Sequence, residues 1–231
     1  MVSSSTTNFN PGSGEFVLYC YGLIGVRRPA ITQEHLVDAR MAINVMLSEW
    51  NNDTPNLWKV DLVEVALTEG VATYSVDPST IMMLDVYIRT DDSNGNPTDR
   101  IIWPISRTEY ASMPNKAMEG TPTSFWFDRL LAPSFTLWQT PDGNGPYLLR
   151  YYRVSQIYDV SLQGGQTVDI PSRWFGAFVW GLALRLAYSY APDRIVALQP
   201  MADKALLQAM EGDTENVPLY ISPSLGGYYV R

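Results

Sequence analysis

The sequence predicts an α+β fold, a helical bundle domain with an inserted β-sandwich or barrel-like domain and extended N- and C-terminal arms. Three observations carry that expectation. Apolar residues recur at three- and four-residue spacing near both ends of the chain, as on one face of a helix. Through the middle they alternate at period two, as in half-buried strands. Outside these stretches, both termini lack a regular period.

Residues 1–14 are rich in Ser, Thr, Asn and Gly and read as an arm. Phe16 to Ile24 is a continuous apolar run, and its pattern does not separate strand from buried helix. Thr32 is a good N-cap, and Leu36, Ala39, Ile43, Met46, Leu47 and Trp50 follow at helical spacing, which predicts a helix over about 32–50. The period then changes. Trp58, Val60 and Leu62 alternate, and Val63, Val65 and Leu67 alternate in the opposite phase, which predicts a β-bulge. Short strands are predicted at 72–76, 82–89, 101–105, 124–128, 135–139 and 147–154. Asn94-Gly95 and the run Asp142-Gly143-Asn144-Gly145 supply turns between them. Helical spacing returns over about 172–190, with Ser172 as its expected cap, and again over 195–210, where Pro200 is expected to break or kink the helix. Gly212 is the expected C-cap. Neither helical region can hide its apolar stripe alone, so they are expected to share one core. The expected division is an arm over 1–14, a discontinuous helical domain over 15–56 and 170–212, an inserted β-domain over 57–169, and a tail over 213–231.

Composition excludes several function classes. The 231 residues are 46% hydrophobic, 12% aromatic and 17% charged, which is a folded chain and not a disordered one. A net charge of −8 opposes general binding of phosphate backbones. A single Cys and a single His exclude a disulfide framework and argue against a Cys/His zinc site. The apolar run at 16–26 is followed, not preceded, by Arg27-Arg28, the reverse of a signal peptide. Trp174 to Ala191 carries only Arg185 as a charge, yet it falls about one turn short of a membrane span. It reads as a helix buried on most faces, and the chain is expected to be soluble and without a membrane partner.

No catalytic or metal-ligating set emerges, and no cofactor is expected. His35 lies in the first turn of a helix with no Ser or Cys motif nearby, Cys20 sits in an apolar run, and Asp91 to Asn96 lacks the closing glutamate of a calcium loop. Distant carboxylate pairs stay open for hydrolysis, but nothing singles one out. Trp103, Trp126, Trp138, Tyr147, Tyr151 and Tyr152 read as core and interface packing; the alternative is a sugar-stacking platform on a carbohydrate-binding β-sandwich. The helix bearing Trp174, Phe178, Trp180 and Arg185 is apolar on more faces than one bundle partner needs, which points to core and inter-subunit packing in a larger assembly.

The segment Ala42-Ile43-Asn44-Val45-Met46-Leu47-Ser48-Glu49-Trp50 resembles the first long helix of the head-to-tail adaptor proteins of short-tailed bacteriophages, the tail tubular protein A group and the related packaged-DNA-stabilising tail accessory factors. Gly70 to Val76, Glu109-Tyr110, Gly120-Thr121-Pro122, Leu137 to Asp142, Ile170 to Phe175 and Leu182 to Ala187 are similar to family segments in the same order. Gln139 departs from the pattern, standing where a Pro is common. The resemblance covers about residues 30–212. It implies a virion protein at the head–tail interface, assembled in the host cytoplasm. Twelve copies would form a ring between the portal protein and the tail nozzle or hub, and double-stranded DNA would pass through the lumen without sequence-specific binding. It further implies a C-terminal segment that reaches the portal, with Leu219, Tyr220, Leu225, Tyr228 and Tyr229 as apolar anchors and Arg231 as an ion-pairing end.

Overall fold

The computed structural model describes residues 5–53, 56–91, 95–162 and 164–214. Among them are five α-helices and two four-stranded sheets, the mixed α+β architecture expected from the sequence.

The apolar run at the N-terminus forms a helix, α1 (Ser13–Leu23). Its first turn is closed by Glu15, whose carboxylate accepts from the Gly12 N–H at 2.9 Å. Its last turn ends in a Schellman motif, in which Val26 N donates to Tyr21 O at 2.9 Å and Gly25 N to Gly22 O at 3.1 Å. Gly25 has φ +88°, so its backbone favours glycine, and a Cβ there, 2.8 Å from the Arg194 guanidinium, would displace it. The expected arm therefore ends at Gly12, and Ser13 is already buried.

Helix α2 (Gln33–Asp53) buries Ala39, Ile43, Met46, Leu47 and Trp50, the stripe expected from spacing. At its start Thr32 N donates to His35 Nδ1 at 3.3 Å, so the imidazole takes the place a glutamate holds in a capping box. Helix α4 (Phe175–Tyr190) follows a 3-10 turn, Ser172–Trp174, and helix α5 (Ile195–Glu211) follows another, Pro192–Arg194. Ser172 does not cap α4: it lies inside the 3-10 turn, and Trp174 takes the N-cap position without a side-chain bond. Pro200 lies within α5, which continues on both sides of it; the residue is exposed, so the Val196 carbonyl left without its usual donor faces solvent. Gly212 is the C-cap in right-handed geometry.

One sheet has the order β1-β8-β3-β4, from β1 (Val60–Ala66), β3 (Thr80–Asp91), β4 (Pro97–Ile101) and β8 (Leu148–Ser155). The other has the order β2-β7-β6-β5, from β2 (Thr73–Ser75), β5 (Trp103–Pro104), β6 (Ser124–Asp128) and β7 (Ser134–Trp138). All neighbours are antiparallel except β5 and β6. Helix α3 (Arg107–Ser112), not foreseen from the sequence, starts with a full capping box in which Glu109 N donates to Ser106 Oγ at 3.1 Å and Ser106 N to Glu109 Oε2 at 2.6 Å.

The bulge expected in the first strand lies elsewhere. β1 pairs with β8 in unbroken register from Val60↔Val154 to Ala66↔Leu148. The phase slip in the sequence arises because Leu62 and its cross-strand neighbour Tyr152 form an apolar pair on the outer face, while Val63 and Val65 point into the core. The register shifts fall in β3, between Thr80 and Met82 and between Leu84 and Tyr87, where Asp85 has φ +32°.

Two cores result. Val76, Val86, Ile88, Phe125, Phe135, Leu137, Leu149 and Tyr151 fill the space between the sheets. The helices share the other, and α1, α2 and α5 all pack on α4. The strand-free segment after β8 belongs to the helical core, to which it contributes Ile157, Val160, Val168 and Ile170. Two asparagines of α2 satisfy its backbone. Asn44 Nδ2 donates to Val160 O at 3.0 Å while its Oδ1 accepts from Val160 N at 2.8 Å, and Asn51 Oδ1 accepts from Ile157 N at 3.1 Å.

Candidate functional site

The described residues expose several large apolar side chains. The only histidine is spent structurally: His35 caps α2, and its ring stacks on Tyr190 at 4.5 Å. The Cys20 thiol is fully buried against α4 and donates to Val179 O at 3.4 Å; burial pushes its pKa up to about 12, which makes it a poor nucleophile. Among the described residues no group of three His, Cys, Asp or Glu side chains is placed to hold a metal, and no helix is long and apolar enough to cross a membrane.

Of the aromatic platform weighed from the sequence, the register places Trp103, Trp126 and Trp138 on one outer face of the sheet that holds β5, β6 and β7, and the tyrosines lie elsewhere. Tyr147 and Tyr151 are buried between the sheets. Tyr152 looks out from the sheet that holds β8. Trp103 and Trp126 belong to the other sheet, and Trp126 is covered by Tyr110 at 5.7 Å. Trp138 donates its indole N–H to Asn115 O at 3.2 Å.

On α4, Trp174 and Phe178 lie in the helical core; Trp174 stands between Trp50 and Trp58, each with ring centroids 5.0 Å away. Trp180 and Arg185 lie half-buried on its flanks, Arg185 paired with Glu49 of α2. Leu219, Tyr220, Leu225, Tyr228, Tyr229 and Arg231 lie outside the described residues.

Two exposed apolar surfaces stand out, and sequence periodicity pointed to neither. One is a groove of about 530 Å³ between α1 and α4, walled by Phe9, Phe16, Tyr19, Phe175, Val179 and Trp180. The other is the outer face of α2, where Val37, Met41 and Val45 form a stripe at four-residue intervals. The loop joining β6 to β7 carries Leu130 and the fully exposed Leu131, and it lines a cleft with Asn44, Ser48 and Asn52 of the same helix. α1 reaches α4 at Val179, whereas α2 reaches it at Gly181 through Met46. The two helices also meet each other, Tyr21 Oη donating to His35 O at 2.6 Å with the two rings 5.3 Å apart, so α1 and α2 are neighbours on α4.

The point where the chain leaves α5 is also fixed. The Asp213 carboxylate, 4% exposed, accepts from Arg173 and from Leu57 N at 3.1 Å, tying the end of α5 to the starts of α4 and β1.

Two separate exposed apolar surfaces are what a subunit that packs against other proteins presents. The SU10 adaptor protein family matches residues 25–221, most of the chain. The chain belongs to that family. It is a structural adaptor of the phage head–tail region, and its partners are other head–tail proteins. Among curated proteins none matches the chain. The family match starts at Gly25, the residue that closes α1, so α1 and the Phe9 wall of the groove lie ahead of it.

Proposed function

We propose that this adaptor is one subunit of a twelve-membered ring seated between the portal and the tail nozzle or hub, with no catalytic role. The family match over residues 25–221 is the observation that carries this reading. The surfaces fit it. A closed ring needs two unlike faces on each subunit, each meeting the other on a neighbour. The α2 stripe with Leu130–Leu131 and the separate α1–α4 groove are two unlike surfaces suited to such a pair.

The two cores act as two domains in this proposal, a helical one and a β-module beginning near 57. Because Ile157 and Val160 pack with the helices, the module ends near 156, earlier than the sequence division at 169. Residues 213–231 dock on the portal through Leu219, Tyr220, Leu225, Tyr228 and Tyr229, and Arg231 pairs with an acidic group there. The ring extends the DNA channel and helps retain packaged DNA, and the net charge of −8 suits a lumen wall that repels phosphates and lets DNA pass without gripping it. The adaptor is assembled in the host cytoplasm and ends in the virion.

Truncation after Thr214 tests the role of the tail. The shortened chain keeps its thermal transition and its circular dichroism but no longer sediments with the portal. Normal portal docking by a folded truncated chain would overturn the assignment.

A further inference from the structure

The α1–α4 groove is lined mainly by apolar side chains. Phe9 and Tyr19 are 74% and 57% exposed, and Phe175, Val179 and Trp180 form the α4 wall. Exposed aromatic surface of this kind marks a docking site. Three observations identify what fits it. The chain leaves α5 at Asp213, whose carboxylate is held by Arg173, and Arg173 stands only two residues before Phe175 on the groove wall. Consecutive Cα atoms are 3.8 Å apart, so the exit point lies within roughly 15 Å of the groove when the ion pair itself is included. From there, residues 215–231 can span up to about 55 Å, several times the length of the α4 wall from Phe175 to Trp180.

The chemistry matches as well. Residues 215–231 contain Val217, Leu219, Tyr220, Ile221, Leu225, Tyr228, Tyr229 and Val230 against only two charges, Glu215 and Arg231. Pro218 and Pro223 favour an extended course, suited to lying along a groove. The charged residue lining the groove is Glu15, opposite in sign to Arg231. A segment tethered this close is present at millimolar effective concentration, so even weak apolar contacts keep it seated.

We propose that residues 215–231 occupy the α1–α4 groove of their own chain while the adaptor is free, and that the portal withdraws them. This rests on the portal-docking role proposed above and adds a regulatory consequence. The face needed for ring contacts stays covered, and the chain stays monomeric, until the portal takes the tail.

Disulfide trapping in the full-length protein tests this. Tyr19→Cys on the groove rim is combined with Tyr220→Cys or with Tyr228→Cys, and Val196→Cys, 85% exposed on α5, replaces Tyr19→Cys in the control. Tyr19 and Val196 are surface positions, and the buried Cys20 thiol does not compete. Under mild oxidation at least one Tyr19→Cys pair closes within a single chain tenfold or more faster than its control, and a stoichiometric excess of portal slows that closure at least fivefold. Equal rates for pair and control would overturn the proposal, as would disulfides linking two chains. Closure unaffected by a portal that has bound the protein would overturn the release step. Loss of portal docking on truncation is a separate readout, so failure of the groove and failure of the tail's role are distinguishable.

Discussion

Asp142 shows how one carboxylate turns a surface turn into part of the core. It accepts from the Tyr147 hydroxyl at 2.6 Å, from Asn144 N at 3.1 Å and from Asn144 Nδ2 at 2.9 Å. The Tyr147 hydroxyl holds the Asp142 carboxyl below the usual carboxylate range, while burial first and Asp142 second push the Tyr147 phenol up. A carboxyl lowered on folding adds stability that is complete above its unfolded pKa, about 4, and is lost as the pH falls through the folded value. A phenol raised on folding adds stability that is complete below about pH 10 and is lost as the pH rises through its folded value. The melting temperature of the parent protein should therefore exceed that of Asp142→Asn most between about pH 5 and 9, with the gap closing toward pH 2. A gap of constant size across that range would show that the hydrogen bonds from Tyr147 and Asn144 to the carboxylate are not its source. The turn itself was legible as Asp-Gly-Asn-Gly; the bond to Tyr147 was not, because the pattern of a turn says nothing about which core side chain it meets.

At the scale of elements, the approach of α2 to α4 is close enough to be sensitive to a single substitution. A Cβ on Gly181 would lie 2.9 Å from Met46 Sδ, closer than real side chains pack. Gly181→Val overpacks this contact and should destabilise the fold by about 1–3 kcal/mol, or roughly 2–10 °C in melting temperature for a chain of this size. Met46→Ala added to Gly181→Val should recover part of the loss, and thermal melts of the single and double variants measure that coupling. Additive losses would show that the two side chains do not meet. Element patterns were legible to differing degrees for physical reasons. α2 was readable, because it buries one face and so keeps a clean period. α1 was not, since its apolar residues surround the helix: Phe16, Val17, Cys20 and Tyr21 are buried while Phe9, Tyr19 and Phe175 form an exposed groove beside it. α3 is too short to show a period, although Ser106-Arg107-Thr108-Glu109 carries the capping-box spacing that could have found it.

For the whole molecule, the family was readable from ordered segments between about 30 and 212, and the SU10 adaptor match over 25–221 agrees with it. The surfaces were less readable. The α2 stripe and the α1–α4 groove depend on which apolar residues the bundle leaves uncovered, and that is decided by packing between elements far apart in sequence. Lys59 illustrates the same limit in the polar inventory: it pairs with Asp169 at 2.8 Å and lies 4.0 Å over the Tyr158 ring, a contact across 110 residues that no local pattern announces. The two exposed apolar surfaces, with the proposed role of the tail, make the account of the adaptor as a ring subunit specific. The isolated protein is expected to run as a monomer in analytical ultracentrifugation. Electron-microscopic class averages of the adaptor mixed with its portal test the account most directly. They should show a twelve-fold layer of added density on the portal, one adaptor per portal subunit; a bare portal, or an added layer with a different symmetry, would contradict it.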